Sequence, residues 1–409
     1  MNTPSIRSSV SQLPALNSQL IVAFLAAMVP ALGLANGTRL PNQNAEATAR
    51  GNAFVATADN PSAIYYNPAG LTQLPGLQIQ SDSYAILASY DYTPAGGGPT
   101  VKADRSVAVV PQLYVSFTPE NSPLSYGLGV YSPFGQSSEW PDNSGFRTVA
   151  TRNEIIFITV APTIAWKICD QLSVGAGLQI NRVEADLRRG LSPFPGDQFK
   201  FEGDDTSLGY NLGVMWKPSE RHVFGLNYQS RSTSHFKGDV SLTFPPTVSG
   251  PASVDLPFPD IITLGYSWRP TPQWNLEVAV DRTNWDLVNT AVLTSTLLPP
   301  QTIPFEWEAS YYYLFGVTRY LADGWRVSAG YCYSGNSVPD ATFNPAVPDM
   351  SRHLASVGVG RTFGSVSCFF TYQHGFKASR TVQSTPAAIT DGTYESAMDA
   401  VSLSFRYAF

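Results

Sequence analysis

Three arginines and a histidine sit beside apolar-rich connections. Arg188 and Arg189 precede Phe194, Phe199 and Phe201, while Arg352 and His353 follow Pro348-Asp349-Met350-Ser351. A guanidinium presents a fork of donors that matches a carboxylate, so these residues are candidates to hold an acidic group. Phosphates would attract the same charges. Phe194, Phe199 and Phe201, with Leu242, Phe244, Pro245 and Pro246 in a later connection, are candidates to receive an apolar group. Exposed connections seldom carry so many apolar residues unless they cover something. Catalytic chemistry finds no comparable support. His222, His235, His353 and His374 have no metal-ligand spacing, no serine stands in a nucleophile elbow, and Cys169, Cys332 and Cys368 form an odd, widely spaced set. The expectation is a protein without catalytic residues, metal or cofactor.

A second group of residues can shape backbone. Asn60-Pro61 and Asn67-Pro68 each join a favoured helix cap to a residue suited to the first helical position, which predicts two restarts of short helix. Upstream, Ala45, Ala47, Ala49, Gly51, Ala53, Ala56 and Ala58 would give a thin helix able to press against neighbouring backbone. Such a segment fits inside something narrow.

Residues 1–35 read as an export signal: Arg7 is the single charge, Leu20 to Val29 is unbroken apolar sequence, and Gly33-Leu34-Ala35 offers a small-residue cleavage site. No later stretch is long and apolar enough for a spanning helix, and no linker divides the remainder. Charged residues make up only 14% of the chain and aromatics 12%, a poor match to a water-facing surface. A net charge of −6 without a basic run excludes a nucleic-acid partner, because phosphate binding needs clustered Lys and Arg.

What must position these residues is a set of strands. In the last segment Val401, Leu403, Phe405, Tyr407 and Phe409 alternate with Ser402, Ser404, Arg406 and Ala408, the period of two of a strand with different surroundings on its two faces. Fourteen such segments run from about 77–93 to about 394–409. Their connections alternate between long (Arg189 to Gly203, Gly238 to Asp255) and tight (Lys217 to Arg221, Arg269 to Pro272, Ala322 to Gly324). That pattern predicts an all-β, 14-stranded antiparallel transmembrane β-barrel in a bacterial outer membrane, with short periplasmic turns, long outer loops and both termini below. The organisation expected is a signal peptide over 1–35, an N-terminal hatch of short helices over 36–76 that plugs the lumen, and the barrel over 77–409.

Several segments resemble one family in order along the chain. They are Gly51-Asn52-Ala53 through Asn67-Pro68-Ala69-Gly70, Tyr126 to Gly135, Leu172 to Gly177, Gly225 to Ser230, Pro348 to His353, and the terminal Phe409. The chain is similar to the FadL and TodX-type outer-membrane transporters of long-chain fatty acids and other hydrophobic compounds. The resemblance implies passive uptake: capture by outer loops, an internal site above a hatch marked by Asn67, Pro68 and Ala69, and sideways exit at a kink in the third strand. The matching strand holds Gly127 and Gly129, the candidate exit residues. It also implies outer-membrane lipid, lipopolysaccharide and, through the C-terminal strand, the barrel-assembly machinery as partners.

The physical need is clear. Exposing a sixteen-carbon tail to water costs on the order of 12 kcal/mol, so an efficient route requires an apolar lining and an exit that avoids the aqueous periplasm. A hydrophilic diffusion porin is the rival reading, followed by a barrel hydrolase or adhesin. The segment ahead of the first strand separates them, since a simple porin has no use for a plug.

Overall fold

The computed structural model describes residues 37–244, 246–383 and 388–409. The export signal expected over 1–35 lies outside the described residues. Twenty strand segments follow the hatch: β1 (Gly76–Pro94), β2 (Val101–Lys102), β3 (Ser106–Thr118), β4 (Leu124–Tyr131), β5 (Gly135–Glu139), β6 (Arg152–Lys167), β7 (Leu172–Arg189), β8 (Gln198–Ser219), β9 (His222–Gln229) and β10 (Ser232–Thr243). The rest are β11 (Val248–Phe258), β12 (Ile261–Trp268), β13 (Trp274–Thr283), β14 (Thr290–Ser295), β15 (Gln301–Pro304), β16 (Ser310–Tyr320), β17 (Trp325–Ser334), β18 (Arg352–Phe363), β19 (Val366–Val382) and β20 (Gly392–Ala408). Interruptions within single staves account for the excess, and the staves form a closed barrel of 14 antiparallel strands. Closure comes from β1 against β20, in register from Gln78↔Ala408 to Pro94↔Gly392. A closed barrel leaves no sheet edge to satisfy, which is why strands can cross hydrocarbon in this form.

The alternation read in the last segment holds in space. Leu403 and Phe405 are 55% and 51% exposed, whereas Ser402, just before them, is buried and Ser404 between them is half-buried. Apolar side chains therefore face outward and polar ones inward, the reverse of a water-soluble core. Aromatics collect at two levels of the outer face. Trp216 stacks on Phe224 near the tight turns, and Tyr311 stacks on Tyr313 near the long connections. Two such belts mark the two interfaces of a bilayer.

Two connections expected to be long loops are strand instead. β7 and β8 stay paired out to Arg189↔Phe199, and β10 and β11 out to Leu242↔Val248. Their polar outer residues, such as Lys200 and Glu202, face water above the membrane, where alternation no longer looks like a lipid-facing pattern.

The lumen is filled by residues 37–75, almost all of them buried. The thin helix expected across the alanines is short: α1 (Ala45–Ala49), capped by the Asn44 side chain accepting from Ala47 N–H at 3.0 Å. After it come α2 (Ala63–Tyr66) and a 3-10 turn, Pro68–Gln73. Asn67 caps that turn with Pro68 behind it, as its sequence suggests. Asn60 does not cap α2, whose N-cap is Ser62; its Oδ1 instead accepts from Ser62 N–H and Oγ–H at 3.0 and 2.6 Å.

Hydrogen bonds within the hatch and across to the barrel hold this segment. Asn67 donates to Val55 O and Val214 O (2.8 and 3.0 Å), Asn211 donates to Ile64 O (2.7 Å), and Thr371 donates to Ala45 O (2.6 Å). Ion pairs add to them: Arg39 with Asp281, Arg50 with Glu277 at 3.3 Å and Arg326 with Glu46 at 3.1 Å. The wall also makes room. A Cβ on Gly213 would stand 2.2 Å from Asn67 Oδ1, and one on Gly175 2.5 Å from Pro68 C. Gly213→Val is therefore expected to displace the hatch floor without breaking the barrel. In planar bilayers it should raise ion conductance above the wild-type level; equal conductance in folded barrels would show that Asn67 and Pro68 do not seal the lumen.

Candidate ligand cavity and wall opening

Above the hatch lies a cavity of about 440 Å³. Its apolar wall includes Phe199, Phe201, Phe258, Trp285, Phe305 and Trp307, brought together from β8, β11 and the connection that carries β14 and β15. That size and composition suit an apolar small molecule held by few polar groups. Polar atoms enter at the outer end from Arg152, Arg188, Arg189 and Gln301.

These arginines are not equivalent. Arg188 is paired with Asp186 (2.5 Å), and Arg152 with Glu154 and Glu139 (2.9 and 3.2 Å). Arg189 donates to two neutral acceptors, Gln301 Oε1 at 2.9 Å and Thr148 O at 3.3 Å, and lies over the Phe199 ring at 4.8 Å. Among the described residues it has no ion pair, so its charge is available to an incoming anion.

The other sequence candidates are placed apart. Phe199 and Phe201 line the cavity, and Leu242 is buried beside them through its register with Phe199. Phe194 is 75% exposed and Phe244 is exposed, both away from the cavity lining. Pro246 is exposed and Pro245 lies outside the described residues. Arg352, expected at the rim, is buried inside the barrel because its place on β18 points inward. His353 points to the outer face, where its Nδ1 meets Tyr331 Oη at 2.5 Å. The aromatics Phe258, Trp285, Phe305 and Trp307 escaped the sequence reading; Trp285 and Trp307 flank the short segments β14 and β15 and lie outside their alternation.

The third stave is broken. β4 pairs with β3 from Phe117↔Tyr126 to Leu113↔Val130, then Ser132-Pro133-Phe134 leaves the wall, and β5 pairs with β6. Among the described residues, the stretch of β3 from Ser106 to Gln112 has no ladder partner on this side. Contact resumes further out, where Asp104 N–H donates to Glu139 O at 2.8 Å. The wall thus has an unpaired window bounded at both ends. Pro133 has no N–H and cannot continue the ladder.

Gly127 and Gly129 do not lie at this window. They sit in the intact ladder below it, opposite Ser116 and Tyr114, and a Cβ on either would strike Ile64 of the hatch at 2.8 or 2.9 Å. Their smallness serves the hatch contact.

The displaced stretch is tied inward. Leu40 N–H donates to Pro133 O and Gly135 N–H to Thr38 O, both at 2.8 Å, and Gln43 Nε2 donates to Ser132 O at 2.6 Å. Phe134 packs between Phe157 and Phe258 at 5.2 Å from each and meets Trp285 at 6.0 Å. Since Phe258 and Trp285 line the cavity, Phe134 stands between cavity and window.

The family model for outer membrane protein transport protein (OMPP1/FadL/TodX) matches residues 26–409. The chain belongs to this family. It is an outer-membrane barrel of a family of transport proteins and not an enzyme. It is 25% identical over 415 residues to the putative outer membrane protein NMB0088 of Neisseria meningitidis, covering 86% of this chain and 88% of that one. It is 21% identical over 373 residues to the long-chain fatty acid transport protein of Escherichia coli K12, covering 78% and 83%. Among solved structures, a FadL homologue of Pseudomonas aeruginosa superposes with a TM-score of 0.80 at 22% identity, covering 91% of this chain and all of that one. The toluene transporter TodX of Pseudomonas putida superposes with a TM-score of 0.74 at 16% identity, covering 90% and 98%. These last two likenesses establish the shared fold.

Two outer connections are clamped over the cavity. Arg147 donates to Asp142 Oδ1 (2.8 Å), Asp197 Oδ1 (2.8 Å), Asp197 O (2.7 Å) and Ser192 O, joining residues 140–151 to 190–197. Hydrogen bonds from Ser192, then from Arg147, hold the Asp197 carboxyl below the usual carboxylate range. A depressed carboxyl contributes stability that is complete above its unfolded pKa, about 3.9, and is lost as pH falls through the lower folded value. At pH 3.5 wild type should therefore resist pepsin in residues 190–197, and Asp197→Asn should be cut. Equal cleavage of both proteins would remove the clamp.

Proposed function

We propose that the chain carries apolar small molecules inward across the outer membrane without an energy source. The observation that supports this reading is an apolar cavity lying directly above a hatch-filled lumen and beside a break in the barrel wall. Straight passage would force the ligand through a tightly hydrogen-bonded hatch and then into water. Sideways passage needs only Phe134 to swing aside and delivers an apolar tail to hydrocarbon, avoiding a cost of about 0.8 kcal/mol per CH₂ exposed. Gating in this scheme belongs to Ser132-Pro133-Phe134, while Asn67, Pro68 and Ala69 seal the floor.

Relatives named for long-chain fatty acid transport and a fold neighbour named for toluene transport bracket the ligand class. Arg189 favours the amphipathic end of that range. A carboxylate would replace its two neutral acceptors with a charge-assisted pair, while the tail lies against Phe199, Phe258 and Trp307. The test is uptake by cells lacking other conduits for such compounds. Expression should permit uptake of a long-chain carboxylate, and Phe134→Ala should speed it. Arg189→Gln should reduce carboxylate uptake roughly tenfold, the loss of one charge-assisted contact, and leave toluene uptake unaltered. No uptake of either compound by wild type would refute the transport reading; equal carboxylate and toluene losses in Arg189→Gln would refute the head-group role.

A further inference from the structure

A small cavity of about 20 Å³ lies where the start of the hatch meets the barrel wall. Its lining is buried throughout and includes Arg39, Asn52 and Tyr65 of the hatch and Asn227 of β9. Four polar atoms of that lining have no hydrogen-bond partner within the chain: Arg39 Nε, Asn52 Nδ2, Tyr65 Oη and Asn227 Oδ1, on residues 1% to 4% exposed. A buried polar group left unpaired is costly, and four around one space point to something that pairs them. The Asn227 amide is fixed in its orientation. Its Nδ2 donates to the carbonyl Tyr65 O at 3.2 Å, and a carbonyl takes only a donor, so Oδ1 remains an acceptor. Asn52 reaches the cavity from the turn after α1, where it holds a left-handed backbone at φ 65° directly after Gly51 at φ 61°. Asparagine adopts that conformation more readily than most residues with a side chain.

The donor set selects the occupant. An anion would face Asn227 Oδ1 and the Asp281 carboxylate in the same lining, and the charge of Arg39 is already matched by Asp281. A cation would face the Arg39 guanidinium. A water can accept from Arg39 and Asn52 while donating to Asn227 and Tyr65, and about 10–15 Å³ is enough to hold one.

We propose that this cavity is a structural water site, in which one water bridges the hatch and β9. It involves no transported ligand and stands apart from the transport reading. Its position gives it a role at the window. Arg39 lies between Thr38 and Leu40, whose backbone groups complete the hydrogen bonds of Gly135 and Pro133 in the displaced strand. The water ties this segment at once to the turn after α1 and to the wall, so the tip of the hatch is held by the Arg39–Asp281 ion pair and a water bridge together.

The test is a crystal structure of the full barrel grown in sodium bromide, in which ordered water is visible. One water peak within hydrogen-bond distance of at least three of the four atoms, without an anomalous bromine signal, is the result expected. An empty cavity, or density touching fewer than three of them, overturns the proposal. A bromine peak there makes the site an anion site and overturns it as well. The role at the window is read from Asn227→Leu, which fills the space and removes the acceptor while Tyr65 O keeps its bond from Gln229 Nε2 at 3.3 Å. Hydrogen exchange at the Leu40 and Gly135 amides should rise about tenfold, the loss of one hydrogen bond. Unchanged exchange in folded Asn227→Leu overturns that role, and should this variant not fold, the wild-type density decides the site by itself.

Discussion

The structure depends on a backbone exchange at the start of the hatch. Ser132-Pro133-Phe134 gives up its ladder with β3, and Thr38 and Leu40 take over the hydrogen bonds of Pro133 and Gly135. An unpaired strand at membrane depth costs several kcal/mol per orphaned group, so a wall opening survives only if the displaced strand is satisfied elsewhere. The hatch supplies that partner. Opening and plug are therefore one construction, and neither is stable in this form without the other.

The same economy governs the lumen. Because lipid takes the apolar face of every strand, the inner face is left to Asn, Gln, Thr, Ser and a few ions, and those groups need partners. The hatch provides them through short helices whose termini and carbonyls are otherwise unsatisfied. Buried ion pairs such as Arg50–Glu277 add little net stability after desolvation, but removing one partner strands a charge. Their effect is to fix where the hatch sits.

Much of the fold was legible in the sequence because a strand's side chains alternate with a period of two, and a barrel between lipid and a polar lumen makes that alternation visible. Ser402 against Leu403 is enough to see it. The legibility ended above the membrane, where Phe199 and Phe201 still point inward but Lys200 and Glu202 face water, so strand read as loop. Asn67-Pro68 announced its turn because capping is local. Contacts between distant segments left no comparable signal: Gly127 read as a candidate exit residue, and only the position of Ile64 shows that it makes room. Arg352 and its neighbour His353 could not be told apart either, since inside and outside are exchanged by a one-residue change of register.

In the proposed route the ligand leaves through the wall while the hatch stays in place. Tethering the hatch floor to the barrel tests it most directly. Thr72→Cys with Ser173→Cys, in a chain whose Cys169, Cys332 and Cys368 are replaced, puts two thiols where the Thr72 and Ser173 hydroxyls already meet at 2.9 Å. Uptake of a long-chain carboxylate should proceed at the same rate with this disulfide closed or reduced. Loss of uptake on oxidation, restored by reductant, would mean that the ligand passes through a moving hatch and would contradict lateral exit.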